Sequence, residues 1–196
     1  MAVATTAAEQ ASAATALVAA EAELAAAGTT LLATLLAGEA DFRPRGHYPP
    51  GEVADFRTGS QWFYHRHDEW AGGHFHLFQS VGRGTGFVHL AGVVLDGRGE
   101  PVELFATEPG ATGEERRGAG LAARLLTRFA VTHDWPARAT NAWLTALVHL
   151  YRPEIAALHR ESDAASAAGD GCKTSCRRRP IALRARLAEL GITGRA

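Results

Sequence analysis

The chain has 196 residues, 46% of them hydrophobic, and a formal net charge of −1 at pH 7. That is enough apolar material for one well-buried core, and too little clustered positive charge for general attraction to nucleic acid or to an anionic membrane. No apolar run reaches the roughly 18 to 20 residues of a bilayer span, and the Ala-rich start lacks the basic residues of a signal peptide, so a cytoplasmic protein is expected.

Residues 7 to 27 are rich in Ala, Glu and Leu and predict a helix that Gly28 ends or bends; Thr29 to Leu36 adds a short second one. Residues 1–40 therefore read as an N-terminal helical segment. From Asp41 to Gly59 the texture changes, and Pro44, Pro49, Pro50 and Gly51 predict an irregular connection into a sheet. His47 and Tyr48 stand in that connection, placed to pack over a site on the sheet.

Gln61 to about Thr107 reads as an antiparallel meander of four strands. The first two flank the polar and glycine-containing stretch 68–73, the third is the apolar run Phe87 to Leu95, and the fourth is Val102 to Thr107 after a turn at 96–99. Beyond Pro109 a Gly-rich linker leads to a helix over Leu121 to His133, with Leu121, Leu125, Leu126 and Phe129 on one stripe. Another helix spans Ala139 to Tyr151, and Pro153 kinks it or opens a new one reaching Ala165. Residues 166 to 180 read as a flexible link to a short helix from Ile181 to Leu190. The expected organisation is a His-rich α+β domain over residues 41–168 followed by a flexible basic tail, 169–196. That tail carries the run Arg177, Arg178, Arg179 and the CxxxC pair Cys172 and Cys176, which reads as incidental thiols ahead of a disulfide or a metal pair.

The chemistry concentrates in residues 61 to 89. His65 and His67 form one HxH pair and His74 and His76 another, so each pair puts two imidazoles on one face of a strand. Cross-strand partners share a face, and the two pairs converge when partner numbers sum to an odd total. A symmetric loop of four to six residues, pairing His67 with His74 and His65 with His76, meets that condition; an odd loop or a bulge sends the pairs to opposite faces. The same parity, carried across a six-residue connection at 81–86, pairs Ser80 with Phe87 and brings His89 to the cluster, diagonal to His76. Trp62, Tyr64, Phe75 and Leu77 then occupy the other face, so the sheet is either covered on both sides or curled around a pocket. An even turn at 96–99 puts Glu103 on the face away from His89.

Neutral imidazole is a strong ligand for zinc, copper, iron and nickel, and HxH on one strand with further His from its neighbour is an effective way to gather three or four at about 2.0 to 2.1 Å. His65, His67, His74, His76 and His89 are the candidate metal ligands. Glu69, His47 and Tyr48 are the candidate catalytic groups around them. A lone strand His is ordinarily a core or surface residue, but five in 25 residues, four of them paired, point to a metal. Asn141 and Trp143 on the second C-terminal helix, and the adjacent His133 and Asp134, are weaker candidates; GRGTG at 82–86 lacks the context of a phosphate loop.

Two resemblances bear on this reading. The HxHxE of His65, His67 and Glu69 resembles the opening metal motif of cupins, with a shorter spacing to the carboxylate. The runs HYPPGEV, QWFYHRH, GGHFHLFQ, VHLAGVVLD, TNAWLTAL and LYRPEIAAL, between about Leu31 and His159, together resemble a bacterial domain family of unknown function. That resemblance implies a shared domain with His47, His65, His67, His74, His76 and His89 at motif positions, and it implies no activity. Pro109, Gly110 and Ala111 stand where other members carry Trp.

The expected fold is α+β: an antiparallel β-meander, flat or curled, flanked by an N-terminal helix and C-terminal helices. The expected function is that of a His-coordinated protein holding one transition metal ion, iron or copper ahead of zinc, and acting as an oxidoreductase or oxygenase on a small molecule. A zinc-dependent hydrolase or lyase, and a non-catalytic metal-binding module, are the alternatives. Neither nucleic acid nor membrane is an expected partner.

Overall fold

The computed structural model describes residues 5–37, 46–66, 72–82, 86–107, 118–168 and 177–193. In chain order the elements are α1 (Ala7–Ala26), α2 (Leu31–Leu35), β1 (Tyr48–Asp55), β2 (Ser60–His65), β3 (His74–Ser80), β4 (Phe87–Leu95), β5 (Pro101–Ala106), α3 (Ala119–Leu126), α4 (Arg138–Leu150), α5 (Arg152–Ala167), β6 (Arg177–Pro180) and α6 (Leu183–Glu189). The strands form one antiparallel sheet in the order β1-β2-β3-β4-β5-β6, with β1 and β6 at its edges. It is open rather than curled into a barrel, and the helices make the arrangement α+β.

α1 begins at a capping box, in which the Thr6 hydroxyl accepts from the Glu9 N–H at 3.2 Å and the Glu9 carboxylate accepts from the Thr6 N–H at 2.7 Å. Its buried stripe, Ala13, Leu17, Ala20 and Leu24, recurs at helical spacing and packs on α4. α3 packs on α5 and β4, and α5 on β5 and β6, so the helices cover one side of the sheet. Trp62, Tyr64, Phe75, Leu77, Leu90 and Leu104 face them, all fully buried in the main core. The Trp62 indole N–H donates to Asn141 Oδ1 at 3.0 Å, and the Asn141 amide donates to the carbonyls of His133 and Trp135. No helix among the described residues is long and apolar enough to cross a membrane.

The sheet has two strands beyond the four read between Gln61 and Thr107, in keeping with an expected sheet of about four or more. Residues 48–55, predicted to be irregular, form β1; its ladder to β2 shifts between Tyr48 and Val53, where Pro49 and Pro50 fall, and only an edge strand tolerates that loss of donors. Arg177–Pro180, expected within a flexible link, pairs with β5 as the opposite edge. α3 stops at Leu126 instead of reaching His133, because tertiary bonds hold the chain beyond it extended. The Thr58 hydroxyl donates to the Ala130 carbonyl at 2.6 Å, and Asp55 Oδ2 accepts from the Thr132 N–H at 2.7 Å. Pro153 sits in the first turn of α5, where its missing N–H costs nothing.

Candidate metal centre

The register of β2 against β3 decides where the imidazoles go. His65 pairs with His74 and Phe63 with His76, and each pair of numbers sums to 139, an odd total. The parity expectation therefore holds, while the exact partners differ by two residues from those expected and the connection, 66–73, is longer than four to six. Its C-terminal end is set by two glycines. Gly73 has φ +77, and a Cβ on Gly72 would lie 2.1 Å from the Leu95 carbonyl oxygen, so the chain turns tightly against the end of β4 before β3 begins.

On this face the three rings meet. His65 Nε2 lies 2.5 Å from His74 Nε2, and His74 Nε2 lies 3.0 Å from His76 Nε2. One ligand atom from each of the three falls within 4.8 Å of the other two. Neighbouring ligands at about 2.0 to 2.1 Å from a shared ion are themselves roughly 3.0 to 3.4 Å apart. The His74–His76 spacing already fits, and the His65–His74 spacing needs to open by less than about 1 Å. His65, the least buried of the three, is the ring with room to turn. The donor set is three imidazole nitrogens, which suits zinc, copper or iron and could hold one such ion.

His89 joins from β4, opposite Phe78, and its Nε2 lies 2.9 Å from His76 Nδ1. That contact uses the His76 nitrogen pointing away from the other two rings. With a hydrogen on His76 Nδ1 donated to His89 Nε2, the His76 Nε2 lone pair is left for an ion. His89 is enclosed, and burial pushes its imidazole down to about 3, with the nearby His159 and His74 adding to the effect. Burial keeps it neutral, and it lies beside the three rings whose ligand atoms come together.

A β-bulge completes the floor. Leu90 has no partner on β3, since Phe78 pairs with His89 and Leu77 with Ala91, and this extra residue turns the rest of β4 over. Gly92 and Val94 thereby come to the imidazole side, and with them their β5 partners Phe105 and Glu103. A Cβ on Gly92 would lie 2.0 Å from Phe105 Cζ; the bare glycine lets that ring lie across β4. Phe105 then meets His74 at 5.5 Å and His76 at 5.4 Å between ring centroids, both edge to face. Phe63 and Phe78 close the other side, 5.0 Å from His76 and 5.1 Å from His89 respectively. The His159 ring N–H donates to the Leu90 carbonyl at 2.7 Å, tying the bulge to α5.

The remaining candidates divide. His47 stacks on Phe63 with ring centroids 4.0 Å apart and an angle of 9°, and lies 5.9 Å from the His65 ring, on the imidazole side. Tyr48 is a correction: it pairs with Tyr64 and is buried in the main core on the helix side, because neighbouring residues of a strand face opposite ways. Glu103 is another, since the bulge brings it to the imidazole face, where its carboxylate forms an ion pair with Arg178. Asn141, Trp143 and the His133 carbonyl all belong to the helix layer behind the sheet. His67 and Glu69, Pro109 to Ala111, and both cysteines lie outside the described residues. Sequence reasoning passed over Phe105 and Gly92; a glycine within an otherwise apolar, β-branched strand is the signal that a large ring crosses there.

A family model described as "Domain of unknown function (DUF6969)" matches residues 11–178, and the chain belongs to that family. The match takes in all but the first turn of α1, the elements α2 to α5 and the three converging imidazoles. No curated protein and no solved structure matches the chain.

Proposed function

We propose that this family member is a mononuclear metal protein in which His65, His74 and His76 hold one transition metal ion, and that it acts as an oxidoreductase or oxygenase on a small molecule. The observation that carries the reading is the convergence of three Nε2 atoms on one face of the β2–β3 hairpin. Three protein ligands, the number the described residues supply, would leave coordination positions open, which is the mark of a reactive site rather than a closed structural one. Bound there, iron or copper would supply redox chemistry with dioxygen, and zinc would supply an acidified water.

The chain's own residues do the rest. His89 holds the His76 tautomer through the 2.9 Å contact at Nδ1. Phe63, Phe78 and Phe105 surround the rings with apolar surface, which excludes water and strengthens every charge interaction inside. His47, stacked on Phe63, stands at the edge of the centre where it can meet a substrate or pass a proton. A second reading, zinc-dependent hydrolysis or lyase chemistry, draws support from the same triad, because three His, with no carboxylate joining them among the described residues, is a ligand set of water-activating zinc. Metal-loaded protein assayed for oxygen consumption with a panel of small organic substrates, against a panel of esters and lactones, separates the two. Oxygen uptake dependent on iron or copper supports the first reading; turnover of esters with zinc alone replaces it by the second.

A further inference from the structure

The described residues enclose an open groove of about 1080 Å³, lined among others by His47, Phe56, Arg57, Gln61, Phe87 and Arg128. Its floor is the imidazole face: Ala54 pairs with Gln61, Gln61 with Phe78, and Ser80 with Phe87, so these residues point to the same side as His65, His74 and His76. The groove runs along β1 from the turn at 56–59 to His47. Between the pairs Asp55–Ser60 and Tyr48–Tyr64 the hairpin advances four residues on β2, or about 13 Å at the rise of a strand. His47 belongs both to the groove wall and to the ring stack beside His65.

The carboxylates and the guanidinium groups of the groove differ in what satisfies them. Asp55 is buried, and its carboxylate is taken up by the N–H groups of Arg57, Thr58 and Thr132 and by the Thr132 hydroxyl. The Glu52 carboxylate accepts from the Gln61 amide. Arg57 and Arg128 are exposed, and no carboxylate among the described residues pairs with either. At the same end as these cations lie apolar surfaces, with Phe56 96% and Phe87 38% exposed, and Ala54 and Gly51 continue the groove toward His47. Two guanidinium groups and two exposed aromatic rings gathered at one end of a groove that continues to His47 match an organic anion with an apolar body.

We infer that this groove binds a small-molecule carboxylate with an extended apolar body, its carboxylate at Arg57 and Arg128 and its far end at His47 beside the metal triad. This names a substrate class for the function proposed above and rests on it for the chemistry, though binding in the groove can be read without the metal. The test uses the full chain loaded with Co(II), with octanoate, acetate and octylammonium as probes. Isothermal titration should give octanoate binding at least tenfold tighter than that of acetate or octylammonium. Each of Arg57→Gln and Arg128→Gln should weaken it about threefold and the pair about tenfold, as expected for exposed ion pairs. Arg98→Gln, in the β4–β5 turn outside the groove, should leave it unchanged.

In the same complex the paramagnetic ion should broaden the methyl-end proton resonances of octanoate more than those beside its carboxylate. Equal binding of octanoate and octylammonium, or indifference to the double Arg variant, overturns the inference. So does selective binding without broadening in cobalt-loaded protein. If the chain takes up no cobalt, the proposed metal function fails instead, and the titration with the two Arg variants still decides whether the groove takes the anion.

Discussion

In the proposed centre His89 would act through another residue, and this makes its replacement informative. Its Nε2 lies 2.9 Å from His76 Nδ1, and removing such an outer partner ordinarily costs about 10- to 100-fold in metal affinity without removing a ligand. His89→Ala should therefore keep a stoichiometry of one ion per chain and weaken its binding by that factor, measured by competition with a chromophoric chelator. His89→Gln, whose amide oxygen can still accept from the imidazole N–H, should recover part of the loss. A zero stoichiometry in both variants would make His89 a ligand. Gly92 is the second decisive residue. Because a Cβ there would overlap the Phe105 ring at 2.0 Å, Gly92→Ala should destabilise the fold by roughly 1 to 3 kcal/mol in denaturant unfolding.

At the scale of elements, the bulge at Leu90 decides what β4 and β5 contribute to the imidazole face. It is anchored from outside the sheet by the 2.7 Å bond from His159 to the Leu90 carbonyl. His159→Ala leaves that buried carbonyl without its donor and should cost about 1 to 3 kcal/mol of stability, while the metal stoichiometry stays at one. The hairpin of imidazoles was legible in the sequence, because parity depends on whether a connection is odd or even and survives an error in its length. The register itself was not legible, since the close approach of Gly72 to Leu95 is a contact with a strand more than twenty residues later. β1 was hidden by Pro49, Pro50 and Gly51, which read as breakers until the strand is known to be an edge. β6 was hidden by composition. Its run of arginines becomes a strand because alternate side chains find different partners, Arg178 with Glu103 and the Phe105 ring, and Arg179 with Glu161 on α5. Glu103 was placed on the wrong face because a bulge changes parity and leaves no mark in the pattern of strand residues.

At the scale of the whole molecule, burial sets the response to acid. His89 is held at about 3, and burial also pushes His159 and His149 below the ordinary imidazole range, against the opposing effect of their bonds to the Leu90 and Phe129 carbonyls. In the unfolded chain these rings bind protons near pH 6.5, so between that value and the lowered ones the unfolded state holds more protons than the native state. Stability is therefore fully present above about pH 6.5 and declines as the pH falls below it, with the His89 contribution lost last, near 3. Denaturant midpoints of chelator-treated protein should be flat from pH 8 to 7 and fall steadily from pH 6.5 to 4; a midpoint unchanged at pH 4.5 would mean that these rings are charged in the fold.

All of this turns on whether three imidazoles that meet on one hairpin hold an ion. Elemental analysis after incubation with micromolar iron, copper, zinc, manganese or nickel and removal of excess is the most direct measurement. The expected result is one ion per chain in the unmodified protein, lost as the pH drops below about 6.5 while protons compete for the rings, and none in the His65→Ala, His76→Ala double variant. Uptake of no metal by the unmodified protein, or equal uptake by the double variant, would contradict it.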